Sequence, residues 1–376
     1  MLPGTQARSY PGIDLLRGFA ALLVLAYHVV EHGRWTAMPN SGYGYVVRHG
    51  WVGVDLFLVT SGFVITLSAL ECLRRDPVGA RLAFATRRLA RIVPLYLLTG
   101  AVFLVLVRPA MLGIDPGKLA VHVLSHLFFV HNLHPSTHGS INGPSWSVAL
   151  EMQFYLAMLL AMPWLARRSV AGVLVALVGI ALAWRYAVTL VLPMGESDTM
   201  TQFVALTQLP GVLDEFGVGI ALAMVVHRGT APLAAWLVPG WRNFTAWLAL
   251  AAALLSAAAL TDQAFEQWSN RWMLVAWRTL LATGFAALLA TAMTCPAASS
   301  RLLAPARYLG DISYGIYLWH MLVLITLLER HPNLGGRNLL FVTLAGTLLL
   351  SVVTWHLLEK PHLEKYKVAA TPRTSS

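Results

Sequence analysis

The sequence predicts an all-α protein, a polytopic membrane helix bundle of about ten transmembrane helices with both termini in the cytoplasm. Three observations predict it. Hydrophobic residues make up 57% of the 376 residues, against roughly 45–50% in an ordinary soluble domain. Charged residues are 12%, about half the usual share. The apolar residues also gather into about ten runs near the roughly 20-residue length that a helix needs to cross a bilayer. These runs are apolar nearly all round, where a soluble helix would be apolar on one face. No ten-residue segments alternate with period two as barrel strands would, and a helix satisfies its own backbone in lipid.

The runs lie at 12–32, 51–71, 91–110, 146–166, 169–192, 206–227, 243–261, 272–293, 312–329 and 339–358. The first is too long for a signal-peptide core, carries Asp14 and Arg17 at its start and lacks an A-x-A cleavage pattern, so it reads as a retained span. Residues 1–361 then form one transmembrane domain, and 362–376 a short disordered cytoplasmic tail. Orientation follows from the basic residues. With the N-terminus inside, seventeen Lys and Arg fall on the cytoplasmic side, from Arg8 through Arg74, Arg75, Arg81, Arg87, Arg88 and Arg91 to Arg373. Seven fall outside: Arg34, Arg48, Arg108, Lys118, Arg271, Arg330 and Arg337. That is a positive-inside bias. The formal charge of +10 is what such loops beside anionic lipid produce, and no nucleic-acid partner is expected. Cys72 and Cys295 cannot build a disulfide framework and read as inert thiols. There is no solenoid repeat. The longest outer connection, 111–145, is long for a bundle, which hints at function.

Ionisable groups inside spans are functional candidates by default. Span one holds Arg17 and His28, eleven residues apart. That is about three turns, so they share a face roughly 16 Å apart along the axis, with His28 deeper. Their plainer readings are a snorkelling arginine and a packing histidine. Span two opens with Gly53-Val54-Asp55-Leu56-Phe57 and continues to Ser61-Gly62-Phe63. Asp55 either serves the site or pairs with a loop arginine, and the small residues allow close helix approach. The loop after it carries Arg87-Arg88-Leu89-Ala90-Arg91-Ile92-Val93-Pro94. Arg87 and Arg91 share a helical face, and the guanidinium fork suits phosphate; lipid headgroups would also attract the cluster. Span four opens with Trp146-Ser147 and places Ser147 and Tyr155 at i−4 and i+4 of Glu151. That carboxylate either orients a hydroxyl or a histidine, or serves as a structural partner. His122, His126, His131, His134 and His138 lie in the outer loop without metal-motif spacing; they read as solvated, and no metal is expected.

In this order along the chain, these segments resemble the acyltransferase-3 family of membrane-bound acyltransferases. The likeness runs from Asp14 to Pro361. It includes the Arg17-x10-His28 pair, the 53–63 stretch, the 87–94 cluster, Trp146-Ser147 with Glu151 and Phe154-Tyr155, Ile312-Ser313-Tyr314 with Tyr317-Leu318-Trp319-His320, and Glu359-Lys360-Pro361. The resemblance implies a ten-helix bundle using acyl-CoA, usually acetyl-CoA, and a place in the bacterial inner membrane. Its members O-acetylate surface polysaccharide, lipopolysaccharide or peptidoglycan, and some acylate small molecules such as macrolides. Carried onto this sequence, it makes His28 the catalytic base, Arg17 its partner, and Arg87, Arg88 and Arg91 the phosphate grip. Glu151 and Asp55 are candidates to orient His28 or the acceptor. Trp146, Ser147, Tyr155, Tyr314 and His320 fall to the substrate side. Some relatives add an extracytoplasmic esterase-like domain, whose step would here need a separate protein. The expected partners are acyl-CoA, a glycan or lipid-linked saccharide, and membrane lipid; the oligomeric state, including a homo-oligomer, stays open.

The thioester is already activated, so the chemistry needed is removal of a hydroxyl proton, which an imidazole can do near neutral pH. Direct attack is the preferred route, with a relay through acyl-histidine as the alternative. The rival class is a transporter or flippase of a glycan or its precursor, for which buried charge would also serve.

Overall fold

The computed structural model describes residues 10–229 and 232–368, and among these there is no strand. The main helices are α1 (Pro11–His32), α2 (Gly53–Arg75), α3 (Ala80–Leu106), α4 (Pro116–Leu127), α5 (Trp146–Leu165), α6 (Val170–Val191) and α7 (Leu213–Arg228). They continue with α8 (Trp241–Ala264), α9 (Arg278–Thr294), α10 (Ala304–Asp311), α11 (Ser313–Arg330), α12 (Gly336–Thr354) and α13 (Lys360–Val368). Among the described residues nine helices are long and apolar enough to cross a membrane, or ten if α10 and α11 with the turn before them make one bent span. The expected bundle of about ten helices is therefore present.

Local structure departs from the sequence reading in three places. α3 begins at Ala80, so Arg87, Arg88 and Arg91 ride on a span helix and not in a loop. The ninth run is the second half of a pair bent by 59° between Asp311 and Ser313. Beyond Pro361 the chain continues as α13 to Val368, following a π-helical turn at Trp355–Glu359. Pro361 lies just past this π-helical turn, inside a helical run that is unbroken from Gly336; π-turns of this kind are one way a helix accommodates a residue that cannot donate. Arg8 and residues 369–376 of the expected tail lie outside the described residues.

Close packing and buried charge hold the helices together. Gly62 of α2 lies on the backbone of Phe216 and Gly219 of α7 on that of Val59, so a Cβ at either would collide with a facing carbonyl. Small residues bring two helix axes together in this way. Fully buried Arg185 of α6 reaches α7, where its Nη2 stands 2.6 Å from Asp214 Oδ2 and its Nη1 donates to the Gly211 carbonyl at 3.1 Å. Thr279 of α9 donates to the same Asp214 oxygen at 2.6 Å. Beside it, Arg278 of α9 pairs with Asp55 of α2 and lies 3.5 Å from Glu215 Oε1 of α7. Four helices are thereby tied by two guanidiniums and three carboxyl groups. Removing one member of such a buried pair strands the other without water, at a cost of about 3–5 kcal/mol. Arg185→Met should therefore lower the thermal stability of the detergent-purified protein sharply, while Arg185→Met with Asp214→Leu should recover part of the loss. Stability unchanged in the single variant would show that the pair does not hold the bundle.

Candidate active site

One cavity is lined by Arg17 of α1, Ser61 of α2, Arg88 and Arg91 of α3, Ser147 and Glu151 of α5, and Tyr314 and Tyr317 of α11. Helical spacing explains the constellation. Arg88 and Arg91 are three residues apart on α3, and Ser147 and Glu151 four apart on α5, so each pair shares a face. Tyr155, a turn beyond Glu151, donates its hydroxyl to Glu151 Oε1 at 2.5 Å. Arg88 spreads over the rings of Phe84 and Tyr155, 5.6 and 5.7 Å from their centroids, and donates to the Val64 carbonyl at 3.2 Å. Ser147 Oγ and Tyr317 Oη are 2.7 Å apart, and Tyr314 donates to the Ile92 carbonyl at 3.0 Å.

The electrostatic contrast with Arg185 and Arg278 is informative. Among the described residues, no carboxylate lies within ion-pair distance of Arg17, Arg88 or Arg91. Three guanidiniums thus face a cavity whose lining offers one carboxylate, Glu151, already engaged by a tyrosine. Arg17 and Arg91 also line a wider cavity that continues along Arg74, Arg75 and Arg87. Arg87 belongs to that vestibule, where it touches Cys72 Sγ and donates to the Ala83 carbonyl at 3.1 Å.

Three turns along α1 from Arg17 stands His28. Its Nδ1 is 3.0 Å from the Val24 carbonyl and 3.1 Å from His320 Nε2, while His320 Nδ1 is 2.7 Å from the Tyr317 carbonyl. A carbonyl only accepts, so His320 carries its hydrogen on Nδ1 and accepts at Nε2. His28 must then carry its hydrogen on Nδ1, which leaves Nε2 with the lone pair. The ring of His32 follows at 5.6 Å and lines a further cavity with Arg108, Ile141, Gly143 and Glu329.

The structure brings most of the sequence candidates together. Arg17, Arg88, Arg91, Ser147, Glu151 and Tyr314 share the cavity, Tyr155 backs Glu151, and His320 holds His28. Trp146 stands apart, its ring 5.5 Å from His138 and 5.1 Å from Phe203. Asp55 contacts neither histidine; its side chain pairs with Arg278, a span residue rather than a loop arginine. Sequence reasoning passed over Tyr317, which lies inside a quoted motif, and Arg185, Asp214, Glu215 and Arg278. The same rule that singled out Arg17, charge within an apolar run, would have found the last four. The outer-loop histidines are also not generally solvated. His126 and His131 are buried, and their rings stack at 3.9 Å and 8°. The loop folds back over the start of α5, where His131 Nε2 meets Ser145 Oγ at 3.2 Å. Among the described residues no group of three ligands could hold a metal.

Fold and site together define an integral membrane helix bundle with a cationic cavity, whose lining does not include His28; that histidine is linked to it through His320 and the cavity residue Tyr317. The chain belongs to the acyltransferase-3 family: residues 10–356 match its acyltransferase domain. It is 26% identical over 371 residues to Nodulation protein 10 of Rhizobium leguminosarum bv. viciae, covering 93% of this chain and 92% of that protein. It is 29% identical to Exopolysaccharide production protein ExoZ of Rhizobium meliloti, covering 88% of this chain and 94% of that one. It is 25% identical to Peptidoglycan O-acetyltransferase OatA of Listeria monocytogenes, covering 94% of this chain and 56% of that one. The chain spans about half the length of the peptidoglycan-type relatives it matches. No solved structure matches.

The loop histidines set a pH dependence. Burial pushes His126 down to about 4 and His131 to about 3, the latter reinforced by His126 itself. In an opened loop both would titrate near 6.5. The open state therefore binds more protons below that value, and acid favours it. The stability contributed by the folded loop should be full above about 6.5 and decline toward about 3–4. The melting temperature of the purified protein should fall between pH 7 and pH 5, and less so in His131→Phe. An equal fall in both would remove His131 from this role.

Proposed function

We propose that the protein moves an acyl group, acetyl in the simplest case, from acyl-CoA to a hydroxyl of a surface or lipid-linked glycan, with His28 as general base. One observation carries the reading: among the described residues no carboxylate lies within ion-pair distance of Arg17, Arg88 or Arg91, which face one cavity, and the lone-pair nitrogen of His28, three turns along α1 from Arg17, is defined. Half-buried cations without a counter-ion favour an anionic ligand. Coenzyme A brings a diphosphate and a ribose phosphate, which guanidinium forks grip well. The names of the relatives support a saccharide acceptor of the cell surface.

In the reaction, the acceptor oxygen attacks the thioester carbonyl as His28 Nε2 takes its proton. The tetrahedral intermediate expels the coenzyme A thiolate, and the imidazolium returns the proton to sulfur, giving the ester and free coenzyme A. His320 is a positioning residue, fixing the tautomer in which Nε2 is the base. Glu151, held by Tyr155, lies on the cavity wall where it can orient the acceptor or balance the arginines. With the basic vestibule on the cytoplasmic side of a bacterial inner membrane, the positive-inside orientation, the donor enters from the cytoplasm. The acceptor enters from the opposite side.

His28→Ala should abolish transfer by purified protein while membrane insertion is kept; wild-type turnover would remove His28 from catalysis. His320→Ala should lower kcat on the order of 100-fold with KM for acyl-CoA nearly unchanged. A rise in KM alone would make His320 a donor contact instead. Arg88→Gln with Arg91→Gln should raise KM for acyl-CoA more than it lowers kcat, because phosphate contacts remote from the thioester bind ground and transition states alike. An unchanged KM would leave the arginines to lipid.

A further inference from the structure

A second cavity, of about 320 Å³, lies between α3, α4 and the segment leading into α5. Its wall is almost wholly apolar, built from side chains such as Leu97, Leu104, Val123 and Leu127. Leu97 and Leu127 remain exposed, and α3 is a membrane-spanning helix, so the surroundings of the mouth are lipid. Neither Arg17, Glu151 nor His28 reaches it, and the acyl-transfer steps above do not use it.

The wall also carries two polar side chains with unmet needs. His126 and Asn142 both line the cavity and are 7% and 2% exposed. His126 Nδ1 donates to the His122 carbonyl at 2.8 Å, and Asn142 Nδ2 donates to the Leu318 carbonyl at 3.3 Å. The atoms left over are His126 Nε2 and Asn142 Oδ1, neither of which has a partner among the described residues. Both are acceptors. Leaving a buried acceptor unpaired costs about 1–3 kcal/mol, and burying an apolar chain in such a slot is favoured. A phosphate or carboxylate, which only accepts, would not satisfy them; a hydroxyl or amide N–H would. Ile141 lines both this cavity and the one reached by His32, whose ring neighbours that of His28.

We propose that this slot binds the hydrocarbon chain of a membrane amphiphile whose head carries a hydrogen-bond donor, with the donor at His126 and Asn142. Resting on the function proposed above, this amphiphile is the lipid-linked acceptor, anchored so that its glycan passes Ile141 toward the histidines.

Gly100 supplies the test, because a Cβ added there meets nothing within 4 Å. A phenylalanine at this position fills the slot without displacing backbone. The full-length protein in phospholipid vesicles would be photolabelled with a diazirine-bearing hexadecanol, and the adducts mapped by mass spectrometry. Adducts should concentrate on residues 96–104 and 121–127, fall at least fivefold in Gly100→Phe, and persist in Gly100→Ala. Unlabelled hexadecanol should compete, and hexadecane, which has no donor, should not. Adducts spread evenly over the lipid-facing helices, or unchanged in a folded Gly100→Phe, would overturn the slot. Equal competition by hexadecane would overturn the donor requirement. Labelling needs no turnover, so slot labelling in a protein without transferase activity would remove the proposed function while keeping the site. In an active protein, Gly100→Phe should raise KM for a lipid-linked acceptor several-fold and leave KM for acyl-CoA unchanged.

Discussion

Charge in a place without water governs this bundle. A guanidinium within an apolar helix must find an anion in the protein, reach a headgroup, or wait for a ligand. The five arginines that matter most here divide along that line. Arg185 and Arg278 are met at once by Asp214 and Asp55, and their pairs lash α2, α6, α7 and α9 together. Among the described residues no carboxylate lies within ion-pair distance of Arg17, Arg88 or Arg91, which border a cavity. The first pair ties the helices together, and the second set borders the cavity to which the function is proposed. The two sets adjoin through α2, which supplies Asp55 to the scaffold and Ser61 to the cavity wall.

This division explains how far the sequence could be read. The membrane bundle was legible because apolar runs of span length are a strong and local signal. Arg17, His28, Glu151 and the 88–91 pair were legible because polar residues in such runs stand out. What a polar residue pairs with is a different matter, decided between helices far apart in the chain. Asp55 and Arg278 are 223 residues apart, and nothing in the spacing around Asp55 says whether it serves chemistry or packing. The outer loop shows the same limit. Its histidines read as solvated because they lie in a connecting segment without metal-motif spacing, yet His126 and His131 are buried by a fold-back onto α5.

His320 makes the point most sharply. In the sequence it closes an aromatic stretch and reads as a substrate contact. In the structure it accepts from His28 across 292 residues of chain, and its own hydrogen is committed to the Tyr317 carbonyl. That backbone bond propagates a choice of tautomer from α11 to α1. A histidine free to hold its hydrogen on either nitrogen would spend part of its time with the reactive nitrogen blocked. The pairing fixes one tautomer of His28, and it does so with a neutral neighbour; for the base proposed above, that removes the loss.

Under the function proposed above, the geometry of α1 gives a physical reason for transfer across a membrane without transport of the donor. Arg17 and His28 share one helix face, separated by roughly 16 Å along the axis. The anionic end of an acyl-CoA can be held where the arginines gather while its thioester extends toward His28. Moving those phosphates through lipid would require desolvating several charges, whereas moving only the acyl group requires desolvating none. The acceptor's needs are the opposite: a neutral glycan hydroxyl must come close to His28, and a hydrocarbon carrier is already soluble in the membrane. A cationic vestibule at one end of α1 and an apolar slot joined through Ile141 to the cavity at its other end meet these two needs separately. The only species that has to pass between them is an acyl group bound for an oxygen.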